Sequence, residues 1–470
     1  MNKFSRREFF QVAASTAGGL AVNPFRLGAQ TPTPSSRPRF NHRGYLGWIT
    51  DFATKPDLGT WPSMWLDEDL LADYRQKFRL MKKVGYNEIS VWGLYVSRAW
   101  PTDIPKSVTP ERGKLVERLI DLAHDQQVKV LSGLGVYSWG FDEIIRAHPE
   151  VTKGSPQVMC AHASAAWEWQ RKVLDFVFTR FDIDGVSMQS SDQGRCPCPD
   201  CKALSNADYY ALLNTRIAEY IRSRWPKKII GVNSWGMHFD EPDALPALQK
   251  IGQTVDYIID VNDTSRRRDP ANRRKVAAAL ACDFGTLGGP QVEPPQHWER
   301  DRWFLPTIRR DSTHLRDLAA DGGRACEFFY HILANPGDEV TFYVVGRMLA
   351  EPAGDWRKFL EETLAELYEP KPAVREALAE IFLAAEDAYL DYSPANRCGT
   401  IPLEPLASKP GRPLYLEQGL KAEQRREYGK KITELSGRLR QISSAIGRKE
   451  KAEVLKHCLE NVEKEWAGIT

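Results

Sequence analysis

The stretch GVSMQSSDQGRCPCPDCKALSNADYYALLNTRIAEYIRSRWPKKIIGVN, residues 185–233, contains one complete unit of strand, loop, helix and strand. Its two ends, 185–189 and 229–233, are short and aliphatic, which is typical of buried strands. Ser205 is a candidate helix cap, and Pro226 ends the helix that follows it. The apolar residues of this helix recur at spacings of three or four: Tyr210, Leu213, Ile217 and Ile221.

The same unit repeats along the chain. Short aliphatic and β-branched runs predict eight strands at 44–49, 88–92, 128–133, 185–189, 229–233, 255–261, 280–284 and 325–330. Eight such units over about 290 residues match the size of a (β/α)8 TIM-type barrel, so the predicted class is α/β. The run 280–284 also fits the end of a helix begun at Asn272. In that case seven strands would remain, and a doubly wound sheet is the alternative fold.

Only helical patterns follow the eighth strand. They predict helices at 338–350, 356–368, 372–392 and about 416–465, with an irregular, proline-rich crossing at 393–414. An apolar stripe in the last stretch is expected to pack on the barrel rather than to form a dimer. We therefore divide the chain into a catalytic barrel, 41–335, and a helical C-terminal region, 336–470.

The N-terminus has the pattern of an export signal. Paired arginines, Arg6 and Arg7, precede Phe9-Phe10, a mildly apolar run at 12–22 and the small residues Gly28-Ala29. This pattern resembles a bacterial twin-arginine signal. Residues 1–30 are therefore expected to be a signal peptide and 31–40 a linker. The resemblance implies a periplasmic or extracellular protein.

Charge and composition exclude several classes of protein. The 470 residues contain 64 Lys and Arg against 62 Asp and Glu, and a net charge of +2 is too weak to recruit nucleic acid. With 42% hydrophobic and 27% charged residues, the chain is neither broadly disordered nor short of a core. No apolar run approaches the roughly 20 residues of a membrane-spanning helix.

In a (β/α)8 barrel the active site lies at the carboxyl ends of the strands. In this sequence those ends carry aromatic, amide and acidic residues, a mixture that suits a carbohydrate because rings cover sugar C–H faces and polar groups pair with hydroxyls. The predicted substrate-binding residues are Trp48, Asp51, Trp92, Trp139, Asn233, Trp235, Tyr330 and His331. No phosphate-binding loop competes with this interpretation, and no cofactor is expected in the reaction.

Hydrolysis of a glycosidic bond usually needs two carboxyl groups. Asp192, which follows the fourth strand, is the candidate acid, although it also fits a cap on the loop that Gly194 turns. Glu327 lies inside the eighth strand, where a buried carboxylate is costly unless it is paired or functional, and it is the candidate base, nucleophile or substrate anchor. Asp283 is a third candidate for that role, with a solvent-facing loop position as the alternative.

Three of the eight cysteines form the cluster Cys196, Cys198 and Cys201, directly after Asp192. They fit a zinc site completed by Cys160 or a histidine, a disulfide between two of them, or free thiols. In each case the cluster would fix the loop that carries Asp192. A metal site with its own lyase or hydrolase activity is a further alternative.

Residues 185–235 resemble a bacterial glycoside-hydrolase-like (β/α)8 barrel family of unknown function that is related to the α-glucuronidases. The resemblance rests on Ser190-Ser-Asp-Gln-Gly194, the Cys-x-Cys-x-x-Cys loop and Trp225-Pro-Lys-Lys-Ile-Ile-Gly231. It continues more loosely through 311–327 and 359–369. It implies an extracytoplasmic barrel that acts on glycans, with an acid after strand four and acidic groups on later strands.

Asp192 and Glu327 match the family's positions. This chain departs from the family where relatives tend to have Asn-Asp-Gly and it has Ser191-Asp192-Gln193. It also shows no counterpart of the domain that precedes the barrel in α-glucuronidases, so uronic-acid specificity is not expected to transfer. The sequence thus predicts an exported glycoside hydrolase that binds a carbohydrate, and a non-catalytic glycan-binding barrel is the alternative.

Overall fold

Eight parallel strands form a closed barrel in the computed structural model of the chain. The structure describes residues 39–49, 66–96, 99–190, 193–234, 237, 244–260, 270–288, 304, 306–328, 335–392 and 422–467. The strands are β1 His42–Trp48, β2 Glu88–Trp92, β3 Lys129–Gly135, β4 Gly185–Gln189, β5 Ile229–Asn233, β6 Tyr257–Asp260, β7 Asp283–Gly288 and β8 Ala325–Phe328. The predicted (β/α)8 barrel is confirmed, and the doubly wound alternative is wrong.

The strand register has the stagger that this barrel class requires. Pairing proceeds from β1 to β8 in chain order, and β8 pairs back onto β1 through His42 and Ala325. Followed once around all eight pairings, the register advances by eight residues, the shear of a (β/α)8 barrel. Side chains at every second position of each strand therefore point into the barrel.

Several predicted strand bounds differ from the observed ones by one or two residues, and the seventh strand is displaced further. The seventh strand was expected at 280–284, but β7 begins at Asp283 and continues to Gly288. The amide of Leu280 still donates to the carbonyl of Val276, so the aliphatic residues before Asp283 close the preceding helix. A Cβ atom on Gly285 would lie 1.8 Å from the carbonyl oxygen of Ala325, so the glycine allows β7 to approach β8 closely.

Helices separate the strands around the barrel. Their bounds are α1 Glu68–Val84, α2 Pro110–Asp125, α3 Asp142–Ala147, α4 Ser164–Arg180, α5 Pro199–Lys202, α6 Asn206–Arg224, α7 Ala244–Gly252, α8 Pro270–Ala279 and α9 Ile308–Ala320. The predicted cap at Ser205 is confirmed, because its hydroxyl accepts the amide of Asp208 at 3.0 Å. Gly85 ends α1 in the left-handed conformation, φ 112°, which glycine adopts readily.

The C-terminal region is helical, as predicted, but the stretch predicted as one helix at about 416–465 contains two helices. It contains α10 Pro336–Ala350, α11 Trp356–Tyr368, α12 Arg375–Tyr392, α13 Ala422–Ile442 and α14 Lys449–Ala467. The stripe on α13 was expected to pack on the barrel; instead Ile432, Leu435 and Leu439 are buried where α13 packs against α12 and α14. The carboxylate of Glu386 on α12 accepts the backbone N–H groups of Arg309 and Arg310, which open α9.

The predicted signal peptide and most of the predicted linker lie outside the described residues. From residue 39 onward, the chain forms one compact unit. No helix in the described part of the chain combines the length and the apolar composition that crossing a bilayer requires.

Candidate active site

Glu327 lies inside the barrel, as its place in the eighth strand predicts. It is the third residue of β8, it is only 3% exposed, and its Cγ would lie 3.0 Å from a Cβ atom on Gly44 of β1. Its Oε1 accepts hydrogen bonds from the hydroxyls of Ser90 at 2.7 Å and Tyr257 at 3.0 Å. Ser187 on β4 also lowers the pKa of this carboxyl group. Strands β2 and β6 thus each donate a hydroxyl hydrogen bond to one carboxyl group.

Two opposing effects set the pKa of Glu327. Burial raises it above its ordinary value, and the charge of Glu88 adds to that rise. The hydrogen bonds from Ser90 and Tyr257 lower it, and so does the Ser187 hydroxyl, because these groups stabilise the ionised form. The net direction is upward. A carboxyl group with a raised pKa is a stronger base when it is ionised and a proton donor when it is not.

Glycines create the space around this carboxyl group. A Cβ atom on Gly231 would lie 2.3 Å from Cζ of Tyr257, so the missing side chain lets the phenol ring cross the barrel towards Glu327. A Cβ atom on Gly133 would lie 2.2 Å from Cδ2 of Trp92, so the indole lies directly against the β3 backbone. The positions of both aromatic rings therefore depend on a glycine in the neighbouring strand.

The two described tryptophans of the predicted substrate site differ in exposure. Trp92 is only 2% exposed and packs with Leu46 and Leu131 in the barrel interior. Trp139, which follows β3, is partly exposed and packs edge-on against Trp92 with ring centroids 4.7 Å apart. Of this pair, Trp139 is therefore the one with surface that a sugar could reach.

Two amide side chains stand next to each other at the barrel mouth. Gln189 and Asn233 end β4 and β5, face each other in the strand register, and are both partly exposed. Asn233 was predicted from the sequence and Gln189 was not. Gln189 shares the inward parity of Ser187, a signal that could have found it before the structure.

A buried side chain of α6 holds the residue that follows β4. Nδ2 of Asn214 on α6 donates to the Ser190 hydroxyl at 2.8 Å, and both residues are buried. Ser190 lies two residues before Asp192.

The backbone at the exit of β3 is also constrained, because Tyr137 has φ 58° and its N–H donates to Oε1 of Gln170 at 3.0 Å. Left-handed backbone at a non-glycine residue concentrates at functional sites.

Asp283 does not lie at the mouth of the barrel. It opens β7 instead of ending it, so it stands at the amino ends of the strands. Asn41 donates to its Oδ2 at 2.8 Å, and Nε2 of His42 lies 3.7 Å from the same oxygen. The expectation that Asp283 extends from the carboxyl end of its strand is wrong, because the strand begins later than its aliphatic run indicates.

Several predicted site residues lie outside the described residues: Asp51, Asp192, Trp235, Tyr330 and His331. Trp48 belongs to β1 and pairs with Trp92 through the backbone, but its side chain is also outside the description. The roles predicted for these residues stay predictions. Of the candidate carboxyl groups, the described structure includes Glu327 and Asp283, at different levels of the barrel.

The cysteine cluster is assembled. Cys160 joins Cys196, Cys198 and Cys201, all four are buried, and their Sγ atoms lie within 4.8 Å of one another. Among the described cysteines, none forms a disulfide. The cluster follows the β4 exit on one side and precedes α4 on the other.

The comparisons with known proteins concern the fold. No protein-family model and no curated protein sequence matches the chain. Among solved structures, a GH138 enzyme that targets pectin rhamnogalacturonan II is similar with a TM-score of 0.59 and 8% identity, over 92% of this chain and 58% of that one. The chain thus spans less than two thirds of that protein.

A second similar structure is a mutant of the Thermobaculum terrenum O-GlcNAc hydrolase. Its TM-score is 0.50 at 13% identity, over 85% of this chain and 78% of that one. At these identities the likeness concerns the fold alone.

Proposed function

We propose that this protein is an exported glycoside hydrolase that cleaves a poly- or oligosaccharide by two-carboxylate chemistry. Asp192 acts as general acid, and Glu327 acts as base or nucleophile. The observation that carries the proposal is Glu327, a carboxyl group inside a barrel that accepts hydroxyl hydrogen bonds from β2 and β6 and has a pKa raised by burial. Enzymes raise glutamate pKa values in this way to obtain a base poised near neutral pH.

The groups at the mouth support a carbohydrate substrate. The amides of Gln189 and Asn233 can exchange hydrogen bonds with sugar hydroxyls, and the partly exposed Trp139, which follows β3, offers apolar surface. The names of the two similar structures describe one enzyme acting on a pectic glycan and one hydrolase of O-GlcNAc. Their fold likeness favours a glycan over other ligands for this barrel.

The finer parts of the proposal come from the sequence. The paired Arg6-Arg7 motif supports twin-arginine export to the periplasm or beyond. The motifs in 185–235 support a relation to barrels of the α-glucuronidase type. Asp283 has no part in the proposed chemistry, because it lies at the amino end of the barrel.

A hydrolysis screen tests the proposal. The purified protein is incubated with aryl glycosides, including uronides, with pectic oligosaccharides and with GlcNAc-containing glycans, next to Asp192→Asn, Glu327→Gln and Asp283→Asn. We expect Asp192→Asn and Glu327→Gln to reduce cleavage at least about a hundredfold, the contribution of a general acid or base. Asp283→Asn is expected to keep its activity. Circular dichroism of each variant shows whether it is folded.

A second candidate, a non-catalytic glycan-binding barrel, is favoured by one observation. Glu327 is only 3% exposed and accepts hydrogen bonds from two hydroxyls, as a carboxyl group with a purely structural role would. This candidate predicts glycan binding without cleavage, and binding that survives Asp192→Asn and Glu327→Gln. Cleavage that survives both substitutions would instead move the active site elsewhere.

A further inference from the structure

Four thiols from two separate chain segments meet at one point next to the barrel mouth. Cys160 lies in the loop before α4, whereas Cys196, Cys198 and Cys201 belong to the loop after β4 and to the short helix α5. Sγ of Cys160 lies 3.7 Å from that of Cys198 and 4.0 Å from that of Cys201. These separations far exceed the disulfide bond length of about 2.05 Å.

The separations match a tetrahedral metal site. A zinc ion with Zn–S bonds of about 2.3 Å places its four sulfur atoms about 3.8 Å apart. The two measured distances bracket this value, and all four Sγ atoms lie within 4.8 Å of one another. We propose that Cys160, Cys196, Cys198 and Cys201 bind one zinc ion as a closed structural site. Four soft thiolates in a tetrahedron select zinc over the oxygen-preferring cations.

The surroundings of the cluster stabilise negative sulfur. The amide of Cys201 donates to Sγ of Cys198 at 3.4 Å, a hydrogen bond of the kind that supports a metal-bound thiolate. Lys153 has a favourable electrostatic interaction with Cys160 and Cys198, and it also pairs with Asp200 at 3.5 Å. Four thiolates around Zn²⁺ carry a net charge of −2, so a nearby ammonium group offsets part of that charge.

The loop around the cluster is braced independently of the sulfur atoms. The guanidinium of Arg195 donates to the carbonyls of Cys201 at 2.7 Å and Leu204 at 3.0 Å and lies over the Tyr209 ring. The Tyr209 hydroxyl accepts the amide of Cys196 at 3.3 Å. The polypeptide therefore holds the four thiols close together, which reduces the ordering cost of metal binding.

Zinc binding would fasten the β4 loop to the segment before α4. The loop is already held at Ser190 by Asn214, and the cluster would hold it again from Cys196 onward. Asp192 lies between these two fixed points in the sequence. The metal would thus act as a positioning element for the loop that carries the proposed acid, with all its coordination positions filled by protein.

Metal content tests the proposal without reference to activity. Elemental analysis of the full-length protein, purified without chelator, is expected to find about one zinc per chain. Replacement by Co²⁺ is expected to give sulfur-to-cobalt charge-transfer absorption and the intense visible bands of a tetrahedral thiolate site. Loading the metal-free protein should release thiol protons, because the ligands bind as thiolates.

Variants locate the metal. Cys198→Ser is expected to lose almost all of the zinc, whereas Cys282→Ser, which changes a half-buried thiol outside the cluster, should keep about one per chain. The wild-type cobalt spectrum stands even if Cys198→Ser fails to fold. Because these readouts are independent of hydrolysis, the metal proposal and the proposed function can fail separately.

Three results would overturn the site. The first is a metal-free protein whose intact mass shows the loss of two hydrogens, which means a disulfide. The second is a metal-free protein in which all four thiols are alkylated after unfolding, which means free cysteines. The third is stoichiometric zinc that survives in both Cys198→Ser and Cys201→Ser.

Discussion

The hydroxyl of Tyr257 lies 3.0 Å from Oε1 of Glu327, across the interior of the barrel from β6 to β8. This contact exists because Gly231 on β5 has no side chain to block the phenol ring. The hydrogen bond stabilises the ionised carboxylate, while burial of the same group favours the neutral form. Substitution of Tyr257 tests how much the hydrogen bond offsets the effect of burial on the pKa of Glu327.

Tyr257→Phe removes one donor from Glu327. We expect the pKa of Glu327 to rise further and the protein to lose about 1–3 kcal/mol of unfolding free energy, because a buried carboxyl group loses a hydrogen bond. If Glu327 acts as a base, the acidic limb of the kcat/KM pH profile moves to higher pH. Denaturant titration and the pH profile measure the two effects.

Tyr86→Phe is the matched control for that variant. Its buried hydroxyl donates to the neutral carbonyl of Phe342 at 3.3 Å, outside the barrel interior. We expect a smaller loss of stability and no movement of the pH profile. Equal effects of the two substitutions would argue against a special electrostatic link between Tyr257 and Glu327.

Gly133→Ala should disturb the inner packing of the mouth. The added methyl group would lie 2.2 Å from the Trp92 indole, and overpacking of this kind costs about 1–3 kcal/mol. Thermal unfolding should show a lower Tm, and tryptophan fluorescence should change. Gly437→Ala on α13 meets open space and should instead stabilise the protein by about 0.5–1 kcal/mol. An unaffected Tm in Gly133→Ala would contradict the close contact with Trp92.

Asp338 gives the fold a pH-dependent stability. Burial at the start of α10 raises the pKa of Asp338 to about 8, so the folded protein keeps its proton where the unfolded chain has lost it. This group therefore lowers the unfolding free energy as pH rises from about 4 to about 8, by about 1.4 kcal/mol per pH unit. Asp338→Asn should remove this slope. Denaturant titrations at pH 5 and pH 8 test it, and parallel curves for wild type and variant would disprove it.

Gln189→Ala and Asn233→Ala test the amide pair at the mouth. If the pair binds sugar hydroxyls, each change should weaken glycan binding up to about tenfold, the value of one or two hydrogen bonds. Calorimetry with the glycan found in the screen measures the loss. Gln126→Ala, before the amino end of β3, is the control and should leave binding unchanged. Equal binding in all three variants would remove Gln189 and Asn233 from the site.

The sequence predicts the barrel well because each strand is marked by a short run of residues that is recognisable without its neighbours in the fold. Seven of the eight predicted runs overlap the observed strands closely, since aliphatic runs between capped helices have few other interpretations. The seventh run fails because β7 contains Gly285, Thr286 and Gly288 instead of an aliphatic series. Glycine is a poor strand residue in isolation, and only the close approach of β8 accounts for it here.

The site is predicted less completely, because it depends on which strands face each other. The cost of burying a carboxylate correctly singles out Glu327 as an interior group. The hydroxyls that donate to it belong to Tyr257 and Ser90, which are 70 and 237 residues away in the chain, and no local sequence pattern predicts these contacts. The same applies to Cys160, which the sequence offers only as one of several partners for the cysteine loop.

The contact of Glu386 with the start of α9 has a consequence for how the chain is made. The two N–H groups that open the last helix of the barrel donate to a carboxylate that lies 77 and 76 residues further along the chain. A nascent chain that does not yet include Glu386 therefore lacks this partner for the helix end. A stop codon between the barrel and α12 would remove Glu386 altogether. Truncated versions that end near residue 335 should therefore accumulate poorly compared with the whole chain.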